Sequence, residues 1–312
     1  MLQIQDVAAL LICYRRPENV KEILKQISNR GITKIYVALD GFKDETGRND
    51  YLQIKEIVNE FAANFSGQVH TRFLKENLGC SVSVITACNW VFSQEEYAVI
   101  LEDDCFPNSD FFNFVLASIP IMTADENIWL ACGTQFAPKE ITASRWVISQ
   151  YALTWGWATT DRKWAEIAPS FKSEKKIPLR PLAYSVESIY WSEGARRALL
   201  GYVDVWDTIL LWQMNLLNKK AILPGEPLIS NKGNDARATH TISDSPWLNL
   251  SLGKFDGSAL PKYSQSVDRW LKNRFYRISL RHLVTIRITR FLDLFSKSPR
   301  PKLGERLRHI DI

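Results

Sequence analysis

Short apolar runs alternate with helical periodicity through the first third of the chain. That alternation restricts the fold more than any other feature. "VAALLIC" (7–13) has the length and make-up of a buried strand. "PENVKEILKQISNRG" follows, with Val20, Ile23, Leu24 and Ile27 on one helical face and Gly31 as a stop. "KIYVAL" (34–39) reads as a second strand ending at Asp40-Gly41, and "YLQIKEIVNEFAANF" as a second helix. "QVHTRFL" (68–74) is a third strand, "SVSVITACNWVFSQ" a third helix and "YAVIL" (97–101) a fourth strand. Such alternation predicts an α/β fold, a mostly parallel sheet with right-handed crossovers and flanking helices. Ligands of such sheets bind beyond the carboxyl ends of the strands. The loops to read for function therefore follow Cys13, Leu39, Leu74 and Leu101.

The last of these loops opens with three consecutive acids, Glu102, Asp103 and Asp104, then a Pro and an aromatic helix start. Adjacent carboxylates repel one another unless a cation is present. Along an extended chain Glu102 and Asp104 share a face and Asp103 opposes them. Hard oxygen donors select Mg²⁺ or Mn²⁺, and such an ion can neutralise a leaving nucleoside diphosphate. The plain alternative is a solvated turn in which Asp103 or Asp104 caps the next helix. The other loops carry Arg15 and Arg16, Asp40, and Lys75 with Asn77. Cations and acids at one sheet edge suit a diphosphate held partly through a divalent metal.

Composition narrows the classes. With 312 residues and 46% apolar, the chain can bury a sizeable core. Its five cysteines, Cys13, Cys80, Cys88, Cys105 and Cys132, include no CxxC pair. They read as reduced thiols of a cytoplasmic protein, neither a disulfide frame nor a zinc site. The first residues lack a basic start before the apolar run, and that run is too short to span a bilayer. No GxGxxG follows the first strand and no GxxxxGK[ST] occurs, so a dinucleotide fingerprint and a P-loop are unsupported.

An apolar strand ending in EDD, then Pro and DFF, resembles the DXD-type metal motif of GT-A glycosyltransferases. Further similarity to the family that starts hybrid and complex N-glycans by transferring N-acetylglucosamine, and to bacterial family-2-like transferases, lies in several stretches. These are "LLICYRRPENV", "VALDGFKDE", "NWVFSQEEYAVILEDDCFPNSDFFNFVLASIPIMTADENIWLACG", "LTWGWATTDRKWAEI", "VWDTILLWQ" and "ISNKGNDARATHT". The resemblance implies a Rossmann-like GT-A sheet and a metal-dependent, inverting transfer of a sugar from a nucleotide donor, UDP-linked. It implies a glycan or lipid-linked acceptor in surface polysaccharide or lipopolysaccharide synthesis. It places Arg15 near the donor phosphates, Asp40 at the uracil, Glu102 and Asp103 on nucleotide and sugar, and Asp104 on the metal. Asn77 joins these as a donor contact. A nucleotide-contacting His of the family's third helix has no counterpart, since Ala87 or Cys88 occupies that region. Two rivals are a sugar nucleotidyltransferase, which usually opens with a Gly-rich loop that "CYRRPEN" lacks, and a non-catalytic carbohydrate- or lipid-binding protein.

An inverting transferase also needs a base for the acceptor hydroxyl. "GYVDVWDTILLWQMNLLNKK" (201–220) offers Asp207 first and Asp204 second. The plain reading of Asp207 is a helix N-cap. Trp155 and Trp157 flank Gly156, and the family places a Gly-Trp at the donor sugar or acceptor; the plain reading is core. His240, in the polar loop "NKGNDARATHT", is a candidate to close over the diphosphate. The expected organisation is a catalytic domain over 1–255, with a nucleotide-sugar half (1–125) and an acceptor half (126–255), followed by a basic helical tail (256–312).

Charge is segregated. From Pro261 onward there are 13 Lys/Arg and 4 Asp/Glu, a net +9, so the remainder carries 5 − 9 = −4. Aromatic and aliphatic residues interleave with Arg over 266–296. The tail is expected either to lie on an anionic membrane surface, at the inner face of the plasma membrane, or to pack on the core as an ordinary helix. No nucleic-acid reader motif accompanies the charge.

Overall fold

The structure is a computed structural model. It describes residues 2–172, 185–233, 246–281, 283–285, 287, 288, 291 and 300–308. The alternating first third folds as β1 (Ala8–Cys13), α1 (Pro17–Ser28), β2 (Lys34–Leu39), α2 (Glu45–Asn64), β3 (Gln68–Phe73), α3 (Cys80–Phe92) and β4 (Tyr97–Glu102). The rest of the chain adds β5 (Cys105–Pro107), α4 (Ser109–Ala124), β6 (Ile128–Cys132), α5 (Lys139–Thr142), β7 (Val147–Ser149) and β8 (Trp157–Thr160). Then come α6 (Asp161–Ile167), α7 (Pro169–Lys172), α8 (Val186–Leu199), α9 (Asp207–Leu217), β9 (Lys220–Leu223), β10 (Ile229–Asn231), β11 (Lys262–Tyr263) and α10 (Gln265–Trp270).

Nine strands form one sheet in the order β11-β7-β9-β6-β8-β4-β1-β2-β3. β3, β2, β1 and β4 are mutually parallel, as the alternation predicts. β8 runs antiparallel between β4 and β6, and reverses the sheet there. A strand covered on both faces has no polar side, and every residue of β1 is buried. Ala8, Leu10 and Ile12 enter one core, and Ala9, Leu11 and Cys13 enter the other. The same alternation on β4 puts Ala98 and Ile100 in the first core and Val99 and Leu101 in the second. Glu102 therefore continues the face of the first core, the face that α3 and α9 cover.

Local signals explain the element ends. Pro17 stands at the first turn of α1, whose Val20, Ile23, Leu24 and Ile27 are all buried. α2 begins at Glu45, six residues before the apolar pattern starts, because the Asp44 side chain accepts from Gly47 N and caps it. α3 is buried almost all round, so it has no polar stripe. α4 is capped by Asn108, whose Oδ1 accepts from Phe111 N at 3.1 Å.

The segment expected as a separate tail begins inside the fold. Lys262–Tyr263 pairs with β7 at the sheet edge, and Val267 and Leu271 are fully buried. A helix at Leu303–Arg308 returns to the body and buries Leu303 and Leu307. Apolar burial on both sides of the basic stretch is the physical reason the boundary at 255 is not a break in packing. No helix among the described residues is long and apolar enough to cross a membrane.

Candidate functional site

The carboxyl ends of β1, β2 and β4 open into a cleft of about 250 Å³. Its walls include Tyr14, Arg16, Asp40, Glu102, Asp104 and Arg300. The three acids after β4 divide as their alternation predicts. Asp103 turns toward the start of α1: it accepts from Tyr14 N (2.8 Å), Arg15 N (3.2 Å) and Arg16 (2.8 Å). Asn19 donates to its carbonyl at 2.9 Å. Asp103 is buried and locks the β1–α1 loop to the β4 end. Since Asn108 caps α4, neither Asp103 nor Asp104 has the capping role that the plain reading gave them.

Glu102 and Asp104 are partly accessible in the cleft and lie deep in the protein. Burial, then the charges of Asp104, Asp103 and Asp207, push Glu102 up to about 8. Burial and Asp103 raise Asp104, against Arg16, which stands 3.6 Å from its Oδ2. Carboxyls held in their neutral form by burial and by neighbouring carboxylates gain from a cation that takes up their charge. Around Asp104 the chain is kept close and small. β5 pairs with β10, Lys232 N donates to the Asp104 carbonyl at 2.9 Å, and Gly233 N donates to Asn231 Oδ1 at 2.8 Å. A Cβ on Gly233 would fall 2.4 Å from Asp104 Oδ2. Among the described residues no group of three or more His, Cys, Asp or Glu is placed to hold a metal. A cation here would take one or two carboxylates from the protein and the rest from phosphate and water, the usual arrangement for Mg²⁺.

Arg16 and Lys43, rather than Arg15, are the loop cations that line the cleft. Arg15 leans toward α2, with Nε 3.2 Å from Asp50 and a terminal nitrogen 3.8 Å from Asp44. Asp40 is buried, and its two oxygens accept from Gly41 N, Leu78 N, Gly79 N and Asn77 Nδ2. Four donors fill a carboxylate's acceptor capacity, so Asp40 shapes the β3–α3 loop and has no lone pair left for a base N–H. Burial pushes it up to about 6, against those backbone donors. Asn77 lines the cleft while donating to Asp40 and to the Gly41 carbonyl. Cys80 also lines it, but burial holds its thiol well above its ordinary value and makes it a poor nucleophile.

Of the two base candidates, Asp204 is held on several sides. It accepts from Cys80 N and Ser81 N at the start of α3, from Arg300 at 2.6 Å and from Arg306 at 3.4 Å. Burial alone would raise it, but Arg306, Ser81 and Arg300 outweigh that and lower it, which suits a clasp and not a proton acceptor. Asp207 is the first residue of α9, half-buried, with Oδ1 accepting from Thr208 N at 2.8 Å. The N-cap position belongs to Trp206. The Asp207 charge raises Glu102, Cys80, Tyr190 and Tyr276, while Asp204, not Asp207, lines the cleft. Trp206 anchors that turn in the core, its ring 5.5 Å from Trp157. Trp157 itself is 1% exposed and offers no face to a sugar; its large ring is needed to fill the core beneath Trp206. His240 lies outside the described residues.

Arg300 was not legible as a site residue. It sits more than 190 positions from the acids, and only the charge bias of the last segment points toward it.

No protein-family model and no curated protein sequence matches the chain. Among solved structures, it is similar to the mannosyltransferase PcManGT from Pyrobaculum calidifontis in complex with GDP-Man and Mn²⁺. That match has 14% identity and a TM-score of 0.41, over 75% of this chain and 58% of that one. It is similar to a 4-diphosphocytidyl-2C-methyl-D-erythritol synthase from Anaerococcus prevotii, with 10% identity and a TM-score of 0.40 over 70% and 87% of the two chains. A third similar structure is glucosyl-3-phosphoglycerate synthase from Mycobacterium tuberculosis with Mn²⁺, UDP-glucose and phosphoglyceric acid. There the identity is 11% and the TM-score 0.31, over 50% and 57%. The chain thus spans little more than half the length of the mannosyltransferase. Likeness at this level carries no substrate or reaction from those proteins to this one.

Proposed function

We propose that the chain is a metal-dependent glycosyltransferase that moves a sugar from a nucleoside diphosphate to an acceptor hydroxyl, with inversion at the anomeric carbon. The observation that carries this reading is the gathering of Glu102 and Asp104 beside Arg16 at the carboxyl edge of the parallel strands. Asp104, with Glu102 behind it, would hold Mn²⁺ or Mg²⁺. Such an ion supplies positive charge against the leaving diphosphate. Arg16 adds fixed positive charge in the same cleft. Asp207 takes the proton of the acceptor hydroxyl as its oxygen attacks the sugar carbon. The acceptor we assign, a glycan or glycolipid of surface-polysaccharide or lipopolysaccharide synthesis, and the preference for UDP over GDP rest on the sequence resemblance alone.

One observation favours this over nucleotidyl transfer. The amides of Tyr14 and Arg15, the ones a triphosphate-cradling first loop would present, already donate to Asp103.

The test is calorimetry with UDP and with GDP, each with and without Mn²⁺, on the parent and on Asp104→Asn. The expected result is nucleotide binding that depends on Mn²⁺ and weakens in the variant while the thermal midpoint is kept. Unchanged metal-dependent affinity sinks the Asp104 assignment. A screen of UDP- and GDP-sugars for metal-dependent sugar release separates transfer from simple binding, and release of pyrophosphate instead would establish the nucleotidyltransferase reading.

A further inference from the structure

The described residues between Leu280 and Phe291 are helical. Four large apolar side chains on them face outward: Leu280 is 70% exposed, Val284 58%, Ile288 55% and Phe291 62%. At about 100° per residue these four fall within one stripe about 80° wide. Arg281 and Arg287, both exposed, fall about 60° to either side of its centre. Leu283 lies off the stripe and is buried. A surface helix of a globular protein turns its apolar stripe inward. Among the described residues of this one, Leu283 alone is set against the body, and the stripe is turned out.

Buried residues precede and follow the helix in the sequence. Val267 and Leu271 are buried before it, and Leu303 and Leu307 after it. Arg300 lines the cleft.

We propose that this helix face docks on an anionic lipid surface. It lies in the headgroup layer with Leu280, Val284, Ile288 and Phe291 toward the acyl chains and Arg281 and Arg287 against lipid phosphates. An apolar stripe with cations on both flanks is the pattern of an interfacial helix. The net +9 of the segment from Pro261 onward complements negative headgroups. A second copy fits less well, because a two-fold contact through this stripe brings Arg281 and Arg287 of each chain toward those of the other. A membrane-crossing role is unsuitable, since no described helix is long and apolar enough. The inference needs no turnover and stands apart from the catalytic reading.

The experiment is co-sedimentation of the full chain with vesicles of phosphatidylcholine alone or mixed with phosphatidylglycerol, at low salt and at about 1 M, where the screening length is ~3 Å. Binding is expected to require phosphatidylglycerol and to fall at high salt. The variant Leu280→Ser/Val284→Ser/Ile288→Ser should bind at least about tenfold less with an unchanged thermal midpoint, because the three side chains are exposed. Arg281→Gln/Arg287→Gln should weaken the preference for phosphatidylglycerol, since two of the segment's positive charges are removed from the flanks of the stripe; an unchanged preference would overturn their placement against lipid phosphates. Failure of the parent to sediment with anionic vesicles overturns the proposal, as does equal sedimentation of the serine variant. A serine variant that turns a dimer into a monomer in sedimentation velocity, with vesicle binding unchanged, would assign the stripe to contact between copies and overturn it too.

Discussion

Asp103 has its carboxylate taken up by the backbone of a neighbouring loop, while the acids on either side of it face the cleft. The triplet was visible in the sequence, and so was its division by alternation. The choice between Arg15 and Arg16 was not, because neighbouring residues in a loop differ only in which way the backbone turns them. Three of the four donors on Asp40 were equally hidden, since they arrive from a loop 37 to 39 positions away. Two outcomes belong at this scale. Asp207→Asn removes a proton acceptor and keeps an oxygen for Thr208 N. Transfer should fall by ~10²–10⁴-fold with nucleotide affinity retained, as initial-rate kinetics and calorimetry would show; normal turnover would mean another group is the base. Gly233→Ala places a methyl 2.4 Å from Asp104 Oδ2 and 2.9 Å from Asn231 Oδ1. Displacing a group that supports a metal-binding carboxylate typically costs ~10–100-fold in metal affinity, and Mn²⁺ titration in the presence of UDP measures it. An alanine variant with parental Mn²⁺ affinity would show that the Gly233 approach does not hold Asp104 in place.

The elements of the first third were legible because each is long enough to show its period. The later strands were not: β7 and β8 of the nine-stranded sheet, and β5 and β10, which pair as a separate two-stranded sheet, have three or four residues each, too few for any period to register, and their pairing depends on long crossovers. The start of α3 shows what such crossovers accomplish. Its N-cap is Gly79, at φ +79°, where a Cβ would fall 2.3 Å from Asp204 Oδ2. The helix is capped from a distance by that carboxylate. Asp204→Ala strips the acceptor from Cys80 N, Ser81 N and two arginines at once, and should destabilise by roughly 1–3 kcal/mol at neutral pH. The loss should depend on pH in a defined sense. A carboxyl lowered in the folded state contributes stability that is fully present above its unfolded value of about 3.9 and is lost as pH falls through the folded one. The gap in thermal midpoint between parent and variant should therefore narrow below about pH 4. A gap that stays constant down to about pH 3 would show that charge is not its source.

At the scale of the molecule, charge segregation was plain in the sequence, and packing of the basic segment on the body was not. A few buried side chains decide it, and Leu303 and Leu307 look no different in sequence from Leu280. Leu307→Ala should cost about 2–4 kcal/mol, read from urea unfolding. A cost near that of an exposed leucine would mean the C-terminal helix does not pack on the body as described. Arg306, on the same helix, donates to the Leu78 carbonyl across 228 positions. The ion pairs of Arg300 and Arg306 with Asp204 bring this late segment to the mouth of a cleft whose other walls come from the first third of the sequence. During synthesis this has a direct result. The N-terminal strands and helices can form as they leave the ribosome, since their contacts are local, yet the cleft stays open on one side until Arg300 has emerged. A nascent chain cannot hold a finished site, and neither can a fragment that stops short of Arg300.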